Sequence, residues 1–282
     1  MTTASAAVAP VGATTPLTDD ELEQYRRHGY VVIPPDRLSG SLLERARAAL
    51  PGLLSTDGDE RVLERDGETV RSVYGVHRLD DDVAAMTRDP QILGAVEQIL
   101  GDRAYVHQSK VNVKASFSGD QWEWHQDYVY WLQHDALTRP DLVNVALFLD
   151  DVTEFNGPLT FVPGSHSDGV LSGTTSDGMP LGYDEAPEWV ATLTATEQFR
   201  IEPETIAGLA QSKGLVAPKG VAGSVMLFHP NILHASSGNI SPFPRRLLMF
   251  IYNAMSNLGK AGDQPRPWFL AEPEPVALEA AS

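Results

Sequence analysis

The sequence QWEWHQDYVYW at residues 121–131 contains a histidine, His125, and a carboxylate, Asp127, two positions apart. If this stretch is a strand, both side chains point to one face, because alternate residues of a strand share a face. A second histidine from elsewhere would complete two nitrogens and one oxygen, the ligand set of non-haem Fe(II) oxygenases. Alone the pattern is weak, since a half-buried strand histidine beside an acid satisfies it equally well.

The sequence GSVMLFHPNILH at residues 223–234 supplies a candidate third ligand. His234 precedes small residues, which leave room for a co-substrate beside a metal. His229 is its nearest competitor, although it directly follows an apolar run and could simply end a strand. Further along, Arg245 or Arg246 could pair with a carboxylate in the bidentate geometry of a guanidinium. The residues alone do not choose between these two arginines.

Composition narrows the kinds of site that the chain can build. The 282 residues include no cysteine, which excludes disulfides, thiolate nucleophiles and cysteine-ligated metals. A metal must therefore be held by His, Asp or Glu. The net charge of −17 comes without a basic footprint, so we expect no nucleic-acid partner.

Two further absences bear on location. No stretch approaches the roughly 20 apolar residues of a membrane span, so we expect no membrane partner. The N-terminal segment lacks the basic region and apolar core of a signal peptide. We therefore expect a cytoplasmic protein, and the sequence does not indicate an oligomeric state.

The predicted elements change character near residue 103. Before it they are largely helical, with a capping box at Thr18, a strand at 29–33 and a helix at 90–100 that starts with a proline. After it, short apolar runs of strand length are separated by turn signals, at 104–114, 144–149, 159–162, 224–228 and 247–252. Short strands between turns predict a barrel or a jelly roll with helices packed against it.

A single domain at residues 17–270 accounts for these elements. Residues 1–16 form a tail that we expect to be disordered. Residues 167–215 form an insert rich in Gly, Ser, Thr, Asp and Glu, with a helix predicted at 197–209. Such an insert is either a surface insertion or a lid over a pocket, and the two alternatives stand equal. Residues 271–282 form a C-terminal tail.

One predicted strand carries polar residues on one face. Gln108, Lys110, Asn112 and Lys114 alternate along residues 104–114. Such a face either lines a barrel interior that binds a small polar ligand or is solvated. His166, in PGSH at residues 163–166, is interpreted as a structural turn residue or as a group that supports the ligands. The remaining histidines lack metal-ligand spacing, and we assign them to structure: His28, His77, His107 and His134.

Together these motifs resemble a known family over about residues 17–268. The chain is similar to the phytanoyl-CoA dioxygenase family of Fe(II)/2-oxoglutarate oxygenases, in particular to bacterial small-molecule hydroxylases such as L-leucine 5-hydroxylase and, more distantly, ectoine hydroxylase. The motifs are HQSKVN at 107–112, WHQDY at 124–128 with Trp131, DVTEFNGP at 151–158, PGSH at 163–166, GSVMLFHP at 223–230 and HASSGNISPFPR at 234–245.

The resemblance implies a fold and a set of roles. The fold is mainly β with flanking helices around a double-stranded β-helix, a cupin-like jelly roll. By motif position, His125, Asp127 and His234 correspond to the iron ligands, and Arg245, rather than Arg246, corresponds to the 2-oxoglutarate anchor.

Four further residues take roles by the same likeness. Ser236 and Asn112 fall where the family contacts 2-oxoglutarate. Gln108 and Trp131 fall where ectoine hydroxylase lines its substrate pocket. Gln126 departs from that enzyme and looks closer to leucine 5-hydroxylase.

The resemblance also implies a reaction. With Fe(II), 2-oxoglutarate and O2, the protein would hydroxylate an unactivated C–H bond of a free L-amino acid or close derivative, in natural-product biosynthesis. The carboxylate of Asp127 favours hydroxylation over halogenation, because related halogenases have a small residue there. The alternatives are a hydroxylase of another small metabolite, such as a cyclic compatible solute, and a non-catalytic jelly-roll binding module.

Overall fold

A computed structural model describes residues 16–38, 40–171, 199, 201–259 and 266–281. Within these ranges the chain folds into two antiparallel sheets and a layer of helices. The predicted tail at residues 1–16 lies almost entirely outside the described residues, and so does most of the insert at 167–215. Among the described residues, no helix combines the length and apolar character needed to cross a membrane.

The strands of the two sheets are β1 Tyr30–Ile33, β2 Arg61–Leu63, β3 Val70–Tyr74, β4 Ala104–Lys114, β5 Trp122–His125, β6 Leu142–Phe148, β7 Leu159–Phe161, β8 Val225–Phe228, β9 His234–Ser236 and β10 Arg245–Ala254. The larger sheet has seven strands in the order β1-β8-β6-β10-β4-β3-β2, and the smaller sheet has the order β5-β9-β7. In the larger sheet, the long central strands β4 and β10 pair in antiparallel register from Lys114–Arg245 to Ala104–Ala254.

Five of the seven α-helices among the described residues precede the long strand β4. The seven helices are α1 Asp19–His28, α2 Leu42–Leu54, α3 Val76–Leu79, α4 Asp81–Met86, α5 Pro90–Leu100, α6 Tyr128–His134 and α7 Pro203–Lys213. The capping box of α1 forms as predicted, with Thr18 and Glu21 satisfying each other's backbone N–H groups. Helix α5 also begins as predicted, because Asp89 caps it and Pro90 needs no hydrogen-bond partner at this position.

The two faces of the larger sheet are chemically different. Its outer face packs against α2 and α5 through a continuous apolar core, to which the sheet contributes Val111, Val143, Val145, Leu147, Val225, Leu227, Leu248 and Phe250. Its inner face packs against the smaller sheet, where Phe161 of β7 meets Phe148, Phe228 and Met249. Two sheets packed face to face, with helices on one outer face, confirm the predicted cupin-like jelly roll with flanking helices.

Several local expectations need correction. The first hundred residues also contain β2 and β3, two strands that add to the edge of the larger sheet. The helix in the insert spans Pro203–Lys213 rather than 197–209, since Pro203 suits a first helical turn. Residues 197, 198 and 200 lie outside the described residues. The single-domain boundaries stay a prediction.

Candidate functional site

Sheet pairing brings the two candidate histidine ligands together from distant parts of the sequence. His125 is the last residue of β5 and pairs directly with His234, the first residue of β9. Their ring centroids lie 4.2 Å apart, and both side chains are buried. The strand register of the smaller sheet therefore places two of the three candidate metal ligands side by side.

Asp127 reaches the same place by a different route from the one predicted. Strand β5 ends at His125, and Asp127 has helical backbone angles, φ −64° and ψ −38°, immediately before α6. The expectation that both side chains alternate along one strand is therefore wrong. The turn into α6 brings the carboxylate back beside the histidines, since Asp127 Oδ1 lies 3.6 Å from His125 Nε2 and Oδ2 lies 3.8 Å from His234 Nε2.

The geometry of these three side chains fits a metal ion. One ligand atom from each of His125, Asp127 and His234 lies within 4.8 Å of the others. Each histidine turns its Nδ1 toward a backbone carbonyl two residues earlier, at 2.7 Å for Glu123 O and 2.9 Å for Ile232 O. These bonds fix the tautomer and leave both Nε2 atoms free for coordination.

The protonation states also suit a divalent cation. Burial favours a raised pKa for Asp127, but the adjacent imidazoles of His234 and His125 outweigh it and hold that pKa well below its usual range. Burial and the nearby His125 lower the pKa of His234 to about 4. A charged carboxylate and a neutral imidazole are the forms that bind a metal. Asn144 donates to Asp127 Oδ2 at 2.9 Å and orients the carboxylate.

The competing histidine, His229, lies elsewhere. Its ring packs against His166 at an angle of 45°, with 5.0 Å between centroids, and its Nδ1 accepts a hydrogen bond from the Asn231 N–H at 3.0 Å. His229 therefore makes its hydrogen bond within its own loop, residues 229–232. The geometry favours His234 as the third ligand.

The two neighbouring arginines face opposite ways. Arg245 is 2% exposed, lines the pocket that contains the triad, and donates to Gly157 O at 3.0 Å and to Ser236 Oγ at 3.1 Å. Burial and the nearby Arg71 lower the pKa of Arg245 to about 9, so it stays charged at neutral pH. Arg246 instead pairs with Asp150 on the other side of the strand, through Nε at 2.8 Å and Nη2 at 2.5 Å.

The other residues singled out from the sequence also lie around this pocket. Asn112 lines it and accepts a hydrogen bond from Ser72 Oγ at 2.8 Å. Gln108 lines it and donates to Leu270 O at 2.8 Å. Trp131 is buried beside them on α6. All of the predicted set except Ser236 lines this one cavity, and Ser236 lies beside it, where it accepts the hydrogen bond from Arg245.

Two cations in the pocket were not predicted as site residues. Lys110 lies on the inner face of β4 between Gln108 and Asn112, so the alternation along this strand was a usable signal. Arg266 enters from the C-terminal segment, where no local pattern marks it. The aromatic wall includes Trp122 and Tyr130, both within the stretch quoted first.

Comparisons with known proteins agree with this geometry. The family model described as phytanoyl-CoA dioxygenase matches residues 25–247. L-proline trans-4-hydroxylase of Streptomyces griseoviridis is 37% identical over 248 residues, which cover 88% of this chain and 90% of that protein. Ectoine dioxygenase of Sphingopyxis alaskensis is 34% identical over 271 residues, covering 93% and 86%.

The solved structures show the same relation in three dimensions. The crystal structure of EctD from S. alaskensis with 2-oxoglutarate and 5-hydroxyectoine superposes with a TM-score of 0.79 at 30% identity, covering 98% of this chain and 90% of that one. A structure of EctD with bound Fe gives a TM-score of 0.77. With a family match over most of its length and these relatives, the chain belongs to the phytanoyl-CoA dioxygenase family.

Proposed function

We propose that the protein is an Fe(II)- and 2-oxoglutarate-dependent dioxygenase that hydroxylates an unactivated C–H bond of a free L-amino acid or close derivative. The observation that carries this proposal is one pocket containing a His-Asp-His cluster, Arg245 and two further cations, Lys110 and Arg266. Arg245 suits the far carboxylate of 2-oxoglutarate. The two remaining cations suit the carboxylate of a second, small ligand.

Each residue has a defined task in this reaction. His125, Asp127 and His234 would hold the iron, and three protein ligands would leave further coordination positions for 2-oxoglutarate and O2. When bound, the iron with these two co-substrates supplies the oxidising chemistry. Arg245 anchors 2-oxoglutarate through its guanidinium, while Ser236, which accepts a hydrogen bond from Arg245, holds that guanidinium in place.

Substrate placement determines which C–H bond reacts. Lys110 and Arg266 would fix the carboxylate end, and Gln108 and Trp131 would contact the remainder. Holding a small substrate rigidly beside the reacting centre provides most of the selectivity, because misplacement by about 1 Å can cost 10²-fold in rate. The aromatic wall limits water in the pocket and so protects the reaction from side products.

Supporting evidence comes from the relatives named above, which act on compact cyclic molecules. The proline hydroxylase makes a free amino acid the first candidate substrate, and the ectoine dioxygenase makes a cyclic compatible solute the second. The likeness to leucine 5-hydroxylase, a role in natural-product biosynthesis and a cytoplasmic location stay predictions.

The test is substrate-stimulated succinate formation. Purified protein with Fe(II), ascorbate and 2-oxoglutarate is offered a panel of aliphatic, cyclic and basic L-amino acids together with ectoine, and products are mapped by mass spectrometry. We expect an amino acid to stimulate succinate release and to gain one oxygen atom. Stimulation by ectoine alone would replace the amino-acid proposal with its alternative.

His125→Ala separates an enzyme from a binding module. The variant should lose iron and substrate-stimulated succinate formation, because two remaining ligands hold the metal poorly. Absence of iron binding by the unmodified protein would favour the non-catalytic jelly-roll module. Full succinate production by His125→Ala would overturn the ligand assignment.

A further inference from the structure

Arg266 owes its place in the pocket to a docked C-terminal segment, residues 266–272. Phe269 and Leu270 of this segment are buried. Leu270 O accepts a hydrogen bond from Gln108 Nε2, and the Glu272 N–H donates to His107 O at 2.9 Å. The segment therefore lies along β4, on the side that faces the pocket.

Close packing at Gly75 fits this docking. A Cβ atom at this residue would lie 2.6 Å from the Trp268 ring and 2.8 Å from Phe269 Cβ, and its φ of +66° favours glycine. The absence of a side chain thus lets the segment approach the sheet edge.

Asp135 meets the guanidinium of Arg266 at this edge. The carboxylate directly follows α6, the helix that carries Trp131, and its side chain is 6% exposed. Arg266 Nη1 lies 3.0 Å from Oδ2 and 3.3 Å from Oδ1, and His107 Nε2 lies 2.9 Å from Oδ2. Both partners are buried or nearly so, with 4% of the His107 side chain and 12% of the Arg266 side chain exposed.

This arrangement fixes the orientation of the Arg266 guanidinium and places a negative charge beside it. A guanidinium has five N–H donors in a rigid fork, and Asp135 engages Nη1, which leaves the other nitrogens for a second acceptor. Burial favours a raised pKa for Asp135, but the bond with His107 and the charge of Arg266 outweigh it and lower that pKa. The carboxylate is therefore a permanent negative partner at neutral pH.

We propose that Asp135, oriented by His107, is the positioning residue that holds Arg266 and its segment against the pocket, so that Arg266 can receive the carboxylate of the substrate. The role of Arg266 toward the substrate rests on the proposed function. The docking of residues 266–272 through Asp135 does not rest on it. The three residues come from β4, the end of α6 and the C-terminal segment, so the pocket wall closes only when all three meet.

The first test needs no substrate. Hydrogen–deuterium exchange of the full chain compares Asp135→Asn with Asp141→Asn, a matched control that removes an exposed Asp–Arg pair, Arg139–Asp141, with 2.6 Å between Nε and Oδ2. We expect faster exchange across 266–272 in Asp135→Asn alone. Should Asp135→Asn fail to fold, Arg266→Gln removes the other partner and takes its place. Unchanged exchange in that segment would overturn the proposal.

The second test uses kinetics on the best substrate of the panel. Asp135→Asn should raise the substrate KM about 10- to 100-fold, the range for a misplaced binding group, while the KM for 2-oxoglutarate stays within about twofold. In an Arg266→Gln background, Asp135→Asn should add little, because its effect passes through Arg266. Additive effects on the substrate KM would instead indicate a merely structural role and overturn the positioning.

Two substitutions at His107 test whether its hydrogen bond orients Asp135. His107→Gln retains a donor that can reach Asp135, whereas His107→Phe does not. The substrate KM should therefore be lower in His107→Gln than in His107→Phe. Equal KM values would remove His107 from the proposal. If no amino acid supports turnover by the unmodified protein, the proposed function fails, and hydrogen exchange still decides whether Asp135 holds the segment.

Discussion

The outer and inner faces of the seven-stranded sheet are built from the same strands but follow different rules. On β10, Leu248 and Phe250 point outward into an apolar core with α2 and α5, while Arg245 and Met249 point inward to the pocket. The outer face needs only volume and apolar surface. The inner face places charges in a buried space, which costs stability unless each is paired.

Neighbouring residues on one strand therefore form natural matched pairs. A substitution on the inner face should change iron or ligand binding, and its neighbour on the outer face should change the free energy of unfolding. If the two faces were equivalent, both members of a pair would have the same effect.

The largest effect is expected at the metal ligands. Asp127→Ala removes the anionic ligand, and turnover should fall at least about 1,000-fold, equivalent to about 4 kcal/mol of transition-state stabilisation. Iron content by elemental analysis and succinate formation measure the change. Glu123→Gln is the control, since the backbone carbonyl that contacts His125 stays in place in this variant. Near-normal turnover by Asp127→Ala would exclude the carboxylate as a ligand.

The adjacent arginines give the next comparison. Arg245→Leu should raise the KM for 2-oxoglutarate roughly 30- to 4,000-fold, since loss of a buried charge partner costs about 2–5 kcal/mol. Arg246→Leu removes only the half-buried pair with Asp150 and should leave that KM within about twofold. Steady-state kinetics with 2-oxoglutarate as the varied substrate measures both. Equal KM values for the two variants would refute the anchor assignment.

A substitution on the outer face should instead change the free energy of unfolding. Leu248→Ala leaves a cavity in the apolar core and should lower the free energy of unfolding by about 2–5 kcal/mol. The KM for 2-oxoglutarate should hardly change at a temperature where the variant is folded. Urea unfolding followed by circular dichroism measures the first quantity. A raised KM without loss of stability would contradict the separation of the two faces.

A smaller effect is expected one hydrogen bond away from the metal. Asn144→Ala removes the donor to Asp127 and should weaken iron affinity about 10- to 100-fold, as loss of such supporting bonds typically does. Val145 is its neighbour on the outer face, and Val145→Ala should lower stability while leaving iron affinity intact. Competition with a chelator measures iron affinity. Matching affinities in the two variants would remove Asn144 from the site.

The sequence predicted the features that depend on local periodicity. Alternation along residues 104–114 anticipated that Gln108, Lys110 and Asn112 share one face but not whether that face is inside, and the motifs anticipated Arg245 over Arg246. It missed the turn at Asp127, because a strand pattern running past His125 does not show where the strand ends. It also missed Arg266 as a pocket residue, since tertiary contacts with Asp135 and β4 bring it there.

The smallest effect on the inner face is expected at Lys114. Its amino group is buried, donates to Asp120 O at 2.7 Å and lies in the field of Arg245 and Arg71. Burial, with these two cations, lowers its pKa from 10.5 to about 6. Between pH 6 and 10.5 the unfolded chain thus carries a proton on this lysine that the folded chain lacks. Stability should therefore rise with pH across this window and lose that contribution as pH falls toward 6.

Lys114→Met isolates the effect, because methionine has similar length and no proton to exchange. The difference in free energy of unfolding between the unmodified protein and Lys114→Met should shift toward the unmodified protein by up to about 1.4 kcal/mol per pH unit. Urea unfolding at pH 6.5, 7.5 and 8.5 measures it, and Lys219→Met, at an exposed lysine, should give a smaller slope. Parallel curves for Lys114→Met and the unmodified protein would mean that burial leaves the pKa of Lys114 unchanged, and the inner face would then differ from the outer face in ligand binding alone.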